Sequence, residues 1–141
     1  MNPNASPMQA LRPGLSPSES KPRLLLVEDD LATSTALRAI LKYRGWEVDV
    51  AGTLGTALER LDAGYACVVL DLMLPDGNGV DVLSEIRRRK LSTPVIVTTG
   101  VSEPNYLAQV SSLRPTALLQ KPINLGDFLK LLPKVNSARE N

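Results

Sequence analysis

The chain has 141 residues, 43% hydrophobic and 22% charged, which suits one globular core and argues against a disordered, collagenous or disulfide-stapled chain. Sixteen Lys and Arg oppose fifteen Asp and Glu for a net charge of +1, so no global field draws the molecule to nucleic acid or an anionic membrane, and any charge that matters is local. The lack of histidine excludes histidine triads, histidine-ligated zinc and a histidine phosphodonor, and the single cysteine, Cys67, excludes an internal disulfide. Residues 1–22 hold five of the eleven prolines and no apolar periodicity, and read as a disordered arm. From Arg23 onward, short apolar runs alternate with helix-period segments, the pattern of parallel βα units.

The runs Leu24–Val27, Trp46–Ala51, Cys67–Leu70, Val95–Val97 and Ala117–Leu119 predict five strands. All but the second are apolar throughout, as expected where helices cover both faces of a sheet; the alternation of Trp46, Val48 and Val50 with Glu47 and Asp49 predicts an edge strand. Between them, Leu37, Ile40 and Leu41 form one helical stripe, and Leu54, Ala57, Leu58 and Leu61 form another. Val80, Leu83 and Ile86 form a third, and Leu125, Phe128, Leu129 and Leu132 a last one. Leu107 and Val110 give a weaker fourth helix, with Ser102 and Pro104 as N-cap and early helix positions. Gly45 reads as a helix stop. Five βα units predict an α/β fold, an open doubly wound parallel sheet, over residues 23–133, with 134–141 as a polar tail. No signal peptide or membrane span is present in the pattern, so the cytoplasm is the expected compartment.

In such sheets, ligands sit beyond the carboxyl ends of the strands. There the first strand runs into Glu28, Asp29 and Asp30, the third into Asp71, the fourth into Thr98 and Thr99, and the fifth into Lys121 before Pro122. Carboxylates brought together repel unless a cation compensates. An all-oxygen set without histidine or thiolates favours Mg²⁺ or Mn²⁺, and thereby phosphoryl chemistry. Asp71 stands where a carboxylate nucleophile would accept a phosphoryl group, and Lys121 where a fixed cation would offset its charge. Cys67, in an apolar strand, reads as a packing residue. The cluster Arg87, Arg88, Arg89 and Lys90 reads as cations suited to a helix end.

Leu25-Leu-Val-Glu-Asp-Asp, Asp71-Leu-Met-Leu-Pro-Asp-Gly, Pro94-Val-Ile-Val-Thr-Thr and Lys121-Pro together resemble the receiver domain of two-component response regulators, over about residues 23 to 133. The resemblance implies a flavodoxin-like sheet in the order 2-1-3-4-5. It implies Asp71 as phosphoacceptor, and Glu28, Asp29, Asp71 and the Met73 backbone carbonyl as Mg²⁺ ligands. It also implies Thr99 as the switch hydroxyl, Lys121 as the phosphoryl contact and a cis Lys121–Pro122 bond. A sensor histidine kinase or phosphotransfer protein would donate, and a downstream protein would read the surface formed by the fourth helix, fifth strand and fifth helix, a face also open to homodimerisation. With no output segment after Pro133, a stand-alone receiver is expected, with no direct DNA or membrane binding and no enzymatic activity beyond gaining and shedding its own phosphoryl group. The sequence departs from the family at Leu118, where an aromatic residue is usual, and at Gly100.

Two rival readings remain at this stage. A pseudo-receiver would bind partners without phosphorylation, as Leu118 encourages. A Mg²⁺-dependent phosphohydrolase of the haloacid-dehalogenase type would want a second aspartate where Met73 stands.

Overall fold

The computed structural model describes residues 21–134. The expected arm, apart from Lys21 and Pro22, and the tail beyond Lys134 lie outside the described residues. The main elements are β1 (Arg23–Val27), α1 (Leu31–Tyr43), β2 (Glu47–Ala51), α2 (Leu54–Arg60), β3 (Cys67–Asp71), α3 (Val80–Arg88), β4 (Val95–Thr99), α4 (Pro104–Ser112), β5 (Ala117–Gln120) and α5 (Leu125–Leu131). The five strands form one parallel sheet in the order β2-β1-β3-β4-β5. This is the doubly wound α/β, flavodoxin-like arrangement.

The period of two along each strand divides the core. Leu25, Val27, Val68, Leu70, Val95 and Val97 face one cluster with Ala57 of α2, Leu83 and Ile86 of α3 and Val110 of α4. Leu24, Leu26, Cys67, Val69 and Ile96 face the other, with Leu37 and Leu41 of α1 and Phe128 of α5. Because both faces are covered, β3 and β4 are buried at every residue. Among the described residues, no helix is long and apolar enough to cross a membrane.

Local chemistry sets the boundaries. Asp30 caps α1 by accepting from Thr33 N at 2.9 Å, Thr53 caps α2, and Asn124 caps α5. At the other end of α1, Gly45 takes φ 101°, a conformation costly to any residue with a Cβ. The amide of Gly45 donates to Lys42 O and that of Trp46 to Leu41 O, each at 3.0 Å, which closes the helix with a left-handed glycine turn. Trp46 is consumed in that turn and buried beside Leu41, so β2 begins at Glu47 and not at Trp46.

Two further expectations are corrected. The N-cap of α4 is Glu103, whose carboxylate accepts from Tyr106 N at 2.7 Å, and not Ser102. Pro104 occupies the first helical position and forces the residue before it into extended backbone, which makes Glu103 the cap. The apolar run of β5 is not covered on both faces: at the edge that the expected strand order gives it, Ala117, Leu118 and Leu119 are only half-buried. Finally, β3 continues to Asp71 and β4 to Thr99: the polar strand ends stay in the ladder, with Asp71 opposite Thr98 and Thr99 opposite Gln120.

Candidate functional site

The strand ends converge as the connectivity requires. The loop after β1 is anchored by the Glu28 amide, which donates to Ala51 O at 3.0 Å. Glu28 turns inward, 4% exposed, and its Oε2 accepts from Asp30 N at 3.1 Å, while Asp29 stays at the surface. Asp71, at the end of the central strand, is equally buried. One carboxylate oxygen from each of Glu28, Asp29 and Asp71 lies within 4.8 Å of the others.

The last βα loop brings the counter-charge. Lys121 precedes Pro122 through a cis peptide bond, and its amide donates to Thr99 O at 2.8 Å. Its ammonium donates to Asp71 Oδ2 at 2.9 Å and approaches Glu28 Oε1 at 3.5 Å. Burial pushes the Glu28 carboxyl above its ordinary range, aided by the neighbouring Asp71 and opposed by the Asp30 amide and by Lys121. Burial also works against the Lys121 ammonium, but the hydrogen bond and charge of Asp71 together with Glu28 outweigh it, and its pKa ends above the ordinary value. The pocket thus keeps its lysine charged and leaves its acids under-neutralised: Asp71 and Glu28 share one ammonium, with the Asp29 carboxylate beside them.

The loop after β3 frames the other side. The Met73 amide donates to Asp71 Oδ1 at 3.1 Å, orienting the carboxylate, and Met73–Leu74 pairs with Gly77–Asn78 in a short antiparallel ribbon. Asp76 accepts from Leu54 N and Gly55 N at 2.7 and 3.1 Å, tying the ribbon to the start of α2. At Gly79 the chain passes so close to β3 that a Cβ would lie 2.6 Å from Asp71 O and 2.9 Å from Leu72 Cα. Thr99 is fully buried, and its Oγ1 accepts from Val101 N at 3.0 Å.

The sequence-derived candidates therefore gather at one end of the sheet: Lys121 contacts Asp71 and Glu28, Asp29 joins their carboxylate cluster, the Met73 amide binds Asp71, and Thr99 lies one ladder position beyond Thr98, the residue opposite Asp71. Thr98 is buried in the strand. The sequence reading missed Gly79 and Asp76. The Asp-Pro-Gly-rich composition of the loop marks a turn, but nothing in it marks which glycine lies against the end of β3. Cys67 is fully buried, and burial pushes its thiol up to about 12, which fits packing rather than reactivity.

The donor set is all oxygen, three carboxylates with the Met73 backbone carbonyl nearby, and suits a hard divalent cation such as Mg²⁺. An acidic cleft of this kind, at the carboxyl end of a 2-1-3-4-5 parallel sheet and bordered by a lysine and a threonine, defines a receiver-type site. Residues 24–133 match the response regulator receiver domain family, and the chain belongs to it. It is the receiver domain of a two-component response regulator.

The chain is 40% identical over 111 residues to the cell cycle transcriptional regulator CtrA of Caulobacter vibrioides, covering 76% of this chain and 47% of the relative. It is 34% identical over 108 residues to the transcriptional regulatory protein DltR of Streptococcus agalactiae, covering 76% and 48%. The chain thus spans about half the length of these curated relatives. Their names do not support the expectation of a stand-alone receiver without DNA contact. Among solved structures, it resembles the non-phosphorylated HemR receiver domain of Leptospira biflexa, at 34% identity and a TM-score of 0.72, covering 79% of this chain and 90% of that one. A CheY-like receiver domain of Methanospirillum hungatei superposes with a TM-score of 0.73 at 28% identity and the same coverage.

Proposed function

We propose that the domain is a phosphorylation switch in which Asp71 accepts a phosphoryl group from a phosphohistidine of a sensor histidine kinase or phosphotransfer protein. The observation that carries this reading is the cluster of three carboxylates, Glu28, Asp29 and Asp71, two of which, Asp71 and Glu28, face the Lys121 ammonium. A carboxylate oxygen of Asp71 attacks phosphorus, a P–O bond forms, the P–N bond to the donor imidazole breaks, and the imidazole leaves with its electron pair. Glu28, Asp29, Asp71 and the Met73 carbonyl would hold Mg²⁺, or Mn²⁺ in its place. When bound, the cation supplies positive charge that offsets the carboxylates and the phosphoryl oxygens.

Lys121 exchanges its contact with Asp71 Oδ2 for the transferred phosphoryl oxygens. Thr99 is an acceptor in the resting state, so its hydroxyl proton is free to be donated; turning toward the phosphoryl group, it releases the Val101 amide and loosens the loop leading into α4. The face formed by α4, β5 and α5 then shifts between two populations. A downstream protein, or a second copy of the domain, would read that face, in the cytoplasm. The domain performs no chemistry on other molecules, and hydrolysis of its own acyl phosphate resets it. The names of the relatives, transcriptional regulators, support transcription as the process such a switch controls.

The test is intact mass after incubation with Mg²⁺ and acetyl phosphate. Wild type gains one phosphoryl group, and Asp71→Asn gains none. An unmodified wild type, folded and offered a second small donor, favours the pseudo-receiver reading that Leu118 permits.

A further inference from the structure

Met73 stands directly opposite Asn78 in the ribbon after β3. Asn78 Oδ1 accepts two hydrogen bonds, from Val80 N at 2.9 Å and from the hydroxyl of Tyr106 at 3.1 Å. Tyr106 lies in the first turn of α4, its amide held by the Glu103 cap and its side chain packed on the core cluster beneath α2, α3 and α4. The ribbon is therefore pinned to α2 by Asp76 on one side and to α4 by Tyr106 on the other. The start of α4 is also held from the Thr99 side, because Val101 donates its amide to Thr99 Oγ1 and accepts from Gln120 Nε2 at 3.0 Å with its carbonyl. The side chain of Leu118, half-buried on β5, has no polar atom with which to make either connection.

We propose that Tyr106 is a positioning residue for the phosphoacceptor loop: its hydroxyl, through Asn78, ties the strand that carries the Met73 carbonyl to the first turn of α4. The inference rests on the phosphoacceptor reading of Asp71 and adds a second route from that site to α4, independent of Thr99. Coupling of this kind is reciprocal. Ordering of the Met73 segment at a charged site holds α4 in place, and displacement of α4 loosens the Met73 segment. Because the hydrogen bond is exposed to water, the effect is modest and appears as a few-fold change.

The experiment compares the full chain with Tyr106→Phe, Asn78→Ala and the double variant. It measures the initial rate of phosphoryl uptake from phosphoramidate with Mg²⁺, and amide hydrogen exchange of α4 with and without beryllofluoride as the phosphoryl mimic. Tyr106→Phe keeps the ring and the core packing, so its melting temperature stays near wild type. Each single variant slows uptake by about two- to fivefold and frees the amides of the first turn of α4, and the double variant is no slower than Asn78→Ala. Asn78→Asp keeps the acceptor oxygen and so keeps the sensitivity to Tyr106→Phe. Single variants at the wild-type rate, or a double variant whose slowing is the product of the two, would overturn the proposal. A wild type that takes up no phosphoryl group removes the reading of Asp71 and this inference with it, whereas normal uptake with indifferent variants removes only this inference.

Discussion

Two strands each deliver one charged group to the site, and they do so on different footings. β3 lies at the centre of the sheet, buried at every residue, and ends in Asp71, whose side chain is 5% exposed. β5 lies at the edge, half-buried, and leads into Lys121, whose side chain is 36% exposed. The carboxylate is held by the least deformable part of the fold and the ammonium by one of the more yielding parts. The proposed switch would benefit from that division: the bond would be made on a fixed atom, and the groups that respond to it would sit where displacement costs least.

The largest expected effect breaks the pair at the β5 side. Lys121→Met leaves Asp71 and Glu28 adjacent without their ammonium, and phosphoryl uptake falls on the order of 10²-fold; a rate within a few-fold of wild type would show that the cation from the edge is dispensable. Next, truncation at the same ladder position, Leu70 and Leu118 both aligning with Val97, measures the two footings. Leu70→Ala, fully buried in β3, costs about 3 kcal/mol of unfolding free energy in urea, while Leu118→Ala in β5 costs about 1 kcal/mol. Equal losses would erase the distinction.

Gly79→Ala sharpens the comparison by pressing a methyl group onto the backbone of Asp71 and Leu72. Those atoms belong to the rigid end, so it costs about 1–3 kcal/mol and slows uptake as well. The smallest effect belongs to neither strand. Hydrogen bonds from Arg88 and then Arg89 hold the surface carboxyl of Glu85 well below its ordinary range, at about 2. A depressed acid contributes stability above its unfolded pKa and loses it as pH falls toward the folded one. Melting temperature should therefore fall less between pH 5 and pH 2 in Glu85→Gln than in wild type, and by only a small margin because the ion pairs lie at the surface.

The residues that carry charge were legible because the topology does most of the work. Once five apolar runs are accepted as parallel strands, Glu28, Asp71 and Lys121 lie at their carboxyl ends and have to meet. Residues whose role depends on a distance left no such trace. Gly79 matters because a chain passes within van der Waals contact of Asp71, and Tyr106 because a hydroxyl reaches across 28 residues to Asn78. β5 misled for a related reason: its run is as apolar as that of a central strand, yet the face it presents is only half covered. The alternation at Trp46 fits a strand, but the left-handed turn at Gly45 takes precedence over the pattern.

The central claim is that the acyl phosphate forms on Asp71 and nowhere else in the acidic cleft. Borohydride reduces an aspartyl phosphate to homoserine, so reduction of the phosphorylated chain followed by peptide mapping reads the position of the bond. The account predicts homoserine in place of aspartate at position 71 alone, in the presence of Mg²⁺. Reduction at Asp29 or at Glu28, or a peptide 67–79 left unchanged in a chain that carries the added phosphoryl mass, would contradict it.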